Sequence, residues 1–164
     1  MAIIAAHAWW FAPFVLPICL YVAYTDMARM KITNRAVMAL VIVFAVIGLF
    51  LMPIQAYMWQ LIAMAIVLVV GIVLNAAGVM GAGDAKFIAA AAPYIALGDL
   101  QLVIALLMAV LLLSVAVHRG VKYSPLRRLA PEWESWERGK KFPMGLPLGM
   151  TLSAYLVLGA LYGA

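Results

Sequence analysis

Every Lys and Arg of the chain, eleven in all, falls in one of three short polar segments, 25–35, 79–86 and 118–141. Between them the sequence is apolar over lengths that cross a bilayer, about 20 residues each. A backbone in hydrocarbon has to satisfy its own hydrogen bonds, so the runs are expected to form helices. Charged residues make up 10% of the 164 residues, against about 25% in an ordinary soluble domain. The expected fold class is therefore all-α. It is a polytopic transmembrane bundle of about six spans, a single membrane-embedded unit over 1–164 with no room for a separate soluble domain. The net charge of +5 does not point to nucleic acid. In such a chain the distribution of Lys and Arg sets orientation.

The first run, Ile3 to Tyr24, carries Pro13 and Pro17, which are expected to kink it. No Lys or Arg precedes Arg29, so this run reads as a retained helix and not as a cleaved signal peptide. Trp9, Trp10 and Phe11 suit a membrane interface, and His7 reads as interfacial. The further spans are Ala36–Met52, Met58–Gly78, a fourth helix beginning near Asp84, Leu100–Val117 and Phe142–Tyr162. Threaded alternately, they put all three basic segments on one side and the turns 53–57 and 98–99 with both termini on the other. Basic segments mark the cytoplasmic side, so the termini are expected outside. Asp99 reads as a turn or N-cap residue. Pro131 to Arg138 reads as a short helix with its tryptophans at the membrane surface and with Glu134–Arg138 and Glu137–Lys141 spaced to pair. Gly145-x-x-x-Gly149 and Gly159-x-x-x-Gly163 suit tight helix packing.

This topology places two of the six acidic residues, Asp26 and Asp84, on the same side at similar depth. An ionisable residue at the bilayer is a functional candidate by default. Two like charges a few ångströms apart do not both ionise cheaply, so such a pair shares a proton and titrates as a unit. That suits aspartic proteolysis, in which the ionised acid takes a proton from water and the protonated one supports the oxyanion. A single cysteine, Cys19, excludes an internal disulfide and a multi-cysteine zinc site. Ser114 and Ser153 lie inside spans, where serine bonds back to its own helix. No metal site and no cofactor are expected.

Gly81-x-Gly83-Asp84-x-Lys86 resembles the Gly-x-Gly-Asp motif of intramembrane aspartic proteases, in the version of the type IV prepilin peptidases. Asp26 followed by Ile32-Thr33-Asn34 resembles that family's first-aspartate segment, with Thr33 where Pro is common. Phe142-Pro143-Met144-Gly145-Leu146-Pro147 resembles the entry to its last helix. The resemblance implies a membrane aspartic endopeptidase in the bacterial inner membrane. Such an enzyme removes the short basic leader of pilin-like precursors at the cytoplasmic face, with Asp26 and Asp84 as its two carboxylates. Larger members also carry a cysteine-containing cytoplasmic domain and methylate the new N-terminus. This chain resembles the small, peptidase-only form that accompanies tight-adherence (Flp) pili. The expected partners are a pilin-like precursor and membrane lipid.

Gly81 and Gly83 are candidates for keeping the loop open to a substrate backbone, or form a plain turn. Lys86 either biases Asp84 or anchors to lipid phosphate. Asn34, Pro143 and Gly145 are candidate cleft residues, with capping as the alternative for Asn34 and packing for Gly145. Glu132, Glu134 and Glu137 either attract a basic leader or form a solvated face. Two other classes fit the acids less well. A proton- or cation-coupled transporter subunit more naturally carries acids at mid-span and internal repeats. A non-catalytic pilus-assembly scaffold tolerates loss of either Asp.

Overall fold

The computed structural model describes residues 1–137 and 142–164. Six α-helices follow one another: α1 Ala5–Arg29, α2 Asn34–Leu51, α3 Ile54–Ala76, α4 Ala82–Ala91, α5 Leu100–Lys122 and α6 Gly145–Tyr162. No strand occurs among the described residues. The helices of five segments are long and apolar enough to cross a membrane. Their outer faces carry large exposed side chains such as Phe50, Val69 and Leu112. An apolar surface of this extent is covered by lipid. The chain is a multi-pass membrane protein.

The fourth helix begins near Asp84 as expected, but does not run unbroken to the turn at 98–99. α4 has ten residues and is about 15 Å long. It continues through two 3-10 turns, Ala92–Tyr94 and Leu97–Asp99. This broken segment still runs the depth of the bundle. At one end, Asp84 shares a cavity with Asp26 near the end of α1. At the other, Asp99 accepts hydrogen bonds from the amides of Ala2 and Ile3, before the start of α1, at 2.7 and 2.9 Å. Pro93 explains the break, since proline removes the donor that would continue the α-helix.

Asp99 stands where expected, in a turn before α5, and its side chain serves more than that turn. It occupies the N-cap position of α5, but its side chain makes no cap hydrogen bond. Besides the two amides it accepts from the Tyr155 hydroxyl at 2.9 Å, and that hydroxyl accepts from the Ala96 amide at 3.1 Å. The cluster ties the start of the chain, the 3-10 turns and α6 together. Tyr155→Phe takes one of three hydrogen bonds from Asp99 and leaves the Ala96 amide without its partner, an unmet group of this kind costing about 1–3 kcal/mol. We expect a lower melting temperature in detergent. The cavity that holds Asp26 and Asp84 should be undisturbed, because Tyr155 lies about 15 Å along α6 from Gly145.

α1 packs most extensively against α6. Pro13 and Pro17 lie inside an unbroken α1. A Cβ on Gly149 would meet the Cys19 carbonyl oxygen at 2.8 Å, and one on Gly159 would meet Ile3 Cγ2 at 2.8 Å. The expected small-residue spacing is therefore used, and it is used on α1. Gly149→Val forces a backbone shift here and should cost about 1–3 kcal/mol of stability, read as a lower unfolding midpoint. The core between α1, α2 and the fourth segment is aromatic. Phe44 stacks on Tyr57 at 5.6 Å and meets Tyr94 edge-on at 5.5 Å.

The segment after α5 differs from the expected short helix. It contains a 3-10 turn at Pro125–Leu129 and another at Glu134–Trp136. Trp136 does not lie on the surface. It is buried, donates from its indole N–H to the Ala130 carbonyl at 2.8 Å, and stacks between Trp133 and His118. Burial of both ring faces outweighs the interfacial preference of Trp. The expected Glu134–Arg138 and Glu137–Lys141 pairs each involve a residue outside the described ones.

Candidate active site

Asp26 sits one turn from the end of α1, buried against the start of α6. Its carboxylate Oδ2 accepts a hydrogen bond from the Gly145 amide at 2.6 Å. Gly145 is the first residue of α6, so the carboxylate also faces the positive end of that helix dipole. A Cβ at Gly145 would stand 2.8 Å from Asp26 Cβ and 3.0 Å from Oδ2. Only glycine lets the α6 amide approach so closely. α1 then ends at Met30, which is in the left-handed region at φ 51°. That turn sends the chain into Lys31–Thr33.

Asp84 lies in the first turn of α4. α3 delivers the chain to it through a glycine-terminated end. Gly78, at φ 72°, donates to the Asn75 carbonyl, and Val79 donates to Leu74. The Asn75 side chain then donates to the Met80 carbonyl at 2.8 Å, closing the loop. The Asp84 carboxylate reaches back to the Gly81 amide, as an acid at the third helical position does. Gly83 lies against Ile32, where a Cβ would stand 3.3 Å from the Ile32 Cβ. The two motifs singled out in the sequence, Ile32-Thr33-Asn34 and Gly81-x-Gly83-Asp84, are thus packed on each other.

A cavity of ≈ 1060 Å³ lies between them, and both Asp26 and Asp84 line it. The two carboxylates are within each other's electrostatic reach. Of the other candidates, Gly81, Gly83, Asn34 and Lys86 line the same cavity. Lys86 Nζ donates to Asn34 Oδ1 at 3.2 Å across an exposed rim, joining α4 to the first residue of α2. Asn34 therefore does not cap α2. Thr33 does, with its hydroxyl accepting from the Ala36 amide at 3.3 Å. Pro143 and Gly145 stand behind the lining, both buried, while their neighbours Phe142 and Met144 reach the cavity.

The apolar wall escaped the sequence reading. Met30, Val79, Ile88, Leu107 and Leu148 join the polar groups in lining the cavity. They come from five separate segments, and nothing in a run of hydrophobic residues marks which one faces a cleft. No cluster of three or more His, Cys, Asp or Glu suited to a metal occurs among the described residues. Glu132, Glu134 and Glu137 do not line this cavity.

The arrangement is that of an acid pair in a partly apolar cleft, and the fold that carries it is a helical bundle. Residues 13–118 match the family model of the type IV leader peptidase family, and the chain belongs to that family. It is a peptidase of the prepilin leader peptidase type. No curated protein and no solved structure matches the chain. The matched span includes Asp26 and Asp84 and ends before α6, so the match does not reach Gly145, a candidate from the sequence that the structure sets against Asp26.

Proposed function

We propose that the chain is an aspartic endopeptidase that removes the short basic leader from pilin-like precursors, with Asp26 and Asp84 as its catalytic pair. The observation that carries this reading is the single cavity lined by both carboxylates, each presented at a helix N-terminus by a glycine amide. One carboxylate is ionised and takes a proton from a water molecule. The oxygen of that water bonds to the scissile carbonyl carbon. The other, protonated, acid donates to the carbonyl oxygen. The first then passes the proton it took from water to the amide nitrogen, and the C–N bond breaks to release the amine. The second acid takes back a hydroxyl proton as the carboxyl product forms. In this mechanism the pair works with one proton between its two members.

In this reading the basic end of the bundle faces the cytoplasm of a bacterial inner membrane. A precursor enters the cleft there, with its leader towards the cytoplasm and its apolar segment along the lipid. Lys86 and Asn34 form a rim that a peptide backbone displaces or borrows. No cofactor takes part in the chemistry proposed.

The test is precursor processing in membranes. A pilin-like precursor is co-expressed with the native chain or with the double variant Asp26→Asn/Asp84→Asn, and its N-terminus is read by mass spectrometry. The native chain should yield the shortened N-terminus and the double variant the intact one. Equal trimming by both would remove the dyad mechanism and leave a scaffold role. Absence of trimming, with proton flux that depends on the acids, would favour a transporter.

A further inference from the structure

A second cavity, of ≈ 500 Å³, is lined by neighbouring residues of α1 and does not include the carboxylates. Tyr24 and Met27 of α1, Val121 of α5, Leu126, Leu129 and Trp133 wall it. Its walls are hydrocarbon and aromatic ring, with the His118 imidazole among them. The 3-10 turn that closes it reads Pro125-Leu126-Arg127-Arg128-Leu129. The leucines line this cavity, and the arginines line a second space of ≈ 430 Å³ on the same turn, with Tyr123 and Ser124. Leu126 and Leu129 are 56% and 84% exposed, so the turn also presents apolar surface outward. It follows directly on the basic end of α5, the kind of segment that marks the end of a span.

An apolar slot beside a cationic one, at the level where a span ends, matches a molecule with a hydrocarbon chain and an anionic head. We propose that this turn binds one anionic phospholipid, with an acyl chain in the apolar cavity and its phosphate against Arg127 and Arg128. Arg suits phosphate through its planar fork of donors. Arg119 and Lys122 in the last turn of α5 add positive charge. Glu132, Glu134 and Glu137 line neither space. Size argues against a protein helix as the occupant. A helix is about 10–12 Å across, so this cavity would hold only about one turn of it.

The site stands apart from the acid pair and does not depend on its chemistry. Its wall is nevertheless continuous with the pair, since Met27 follows Asp26 and the lining residue Leu146 follows Gly145.

Trp133 and Trp136 line the apolar cavity and report on it directly. The chain carrying Trp9→Phe, Trp10→Phe and Trp59→Phe leaves them as the only tryptophans. It is reconstituted in phosphatidylcholine vesicles containing either brominated phosphatidylglycerol or brominated phosphatidylcholine, and quenching is followed against mole fraction. Two arginines at an anionic head should lower the half-quenching fraction for the glycerol lipid about 10–30-fold relative to the choline lipid. Arg127→Gln/Arg128→Gln should abolish that difference, and Arg127→Lys/Arg128→Lys should keep most of it. Equal half-points for the two lipids in the native background, or a preference untouched by the Gln variant, would show ordinary boundary lipid and overturn the proposal. So would quenching that a hydrophobic transmembrane peptide relieves while unlabelled phosphatidylglycerol does not.

Discussion

Asp26→Asn and Asp84→Asn should each lower the rate of leader removal by about 10²–10⁴-fold, the contribution of a positioned general acid or base. The substitutions remove the acid while keeping its outline. An Asn at 26 still offers an oxygen to the Gly145 amide, which Asp26 Oδ2 now accepts at 2.6 Å. One at 84 still offers an oxygen to Gly81. Folding should therefore change little, and both variants should insert and purify like the native chain. The double variant should be scarcely slower than either single one, because residues that act as one unit are not additive. Single-turnover rates of N-terminal trimming, measured beside unfolding midpoints, check both halves of the expectation. Unequal losses with full activity in one variant would mean that the two acids are not a working pair.

Gly145→Ala should be the second large loss, about 10²-fold in the catalytic rate, even though Gly145 does not line the cavity. Its Cβ would stand 2.8 Å from Asp26 Cβ, a separation that neither a backbone helix nor a buried aspartate side chain can keep. Either α6 or Asp26 has to move by some tenths of an ångström to an ångström, and a displacement of that order at a catalytic group costs about 10²-fold. The amide that fixes Asp26 moves with it. The loss should fall mainly on kcat, since the residue touches no substrate. Alanine at Gly120 provides the contrast. No atom lies within 4 Å of that Cβ position, and activity there should be unchanged.

Much of this was legible before any coordinates. The segregation of Lys and Arg carries the topology because charge is expensive in hydrocarbon, and the helix order follows it. Asp26 and Asp84 were placed at one depth by the same argument, and the structure puts both on one cavity. What the chain did not reveal depends on contacts between distant residues. Asp99 was legible only as a residue before a span, and its partners Ala2, Ile3 and Tyr155 lie 97, 96 and 56 positions away. Gly145 read equally as a cleft or a packing residue, because the choice rests on an amide 119 positions from its acceptor. The fourth crossing was misjudged in form because apolar composition fixes the length that must be buried and not whether one helix covers it. Trp136 was misplaced because its His118 and Trp133 neighbours become visible only in three dimensions.

The close contacts of α4 with α3 and of α6 with α1 have a mechanical consequence. Gly71 of α3 lies against Ala85, next in sequence to Asp84, where a Cβ would stand 3.0 Å from the Ala85 Cβ. Asp26 belongs instead to the α1–α6 pair, riveted along its length by Gly145, Gly149 and Gly159. The cleft thus runs along a seam between two helix pairs, each holding one acid. α3 is largely uncovered by protein, so one jaw of the seam leans on the bilayer itself. A change in bilayer thickness should therefore shift the spacing of the two carboxylates, and trimming rates compared in vesicles of short- and long-chain lipids should differ.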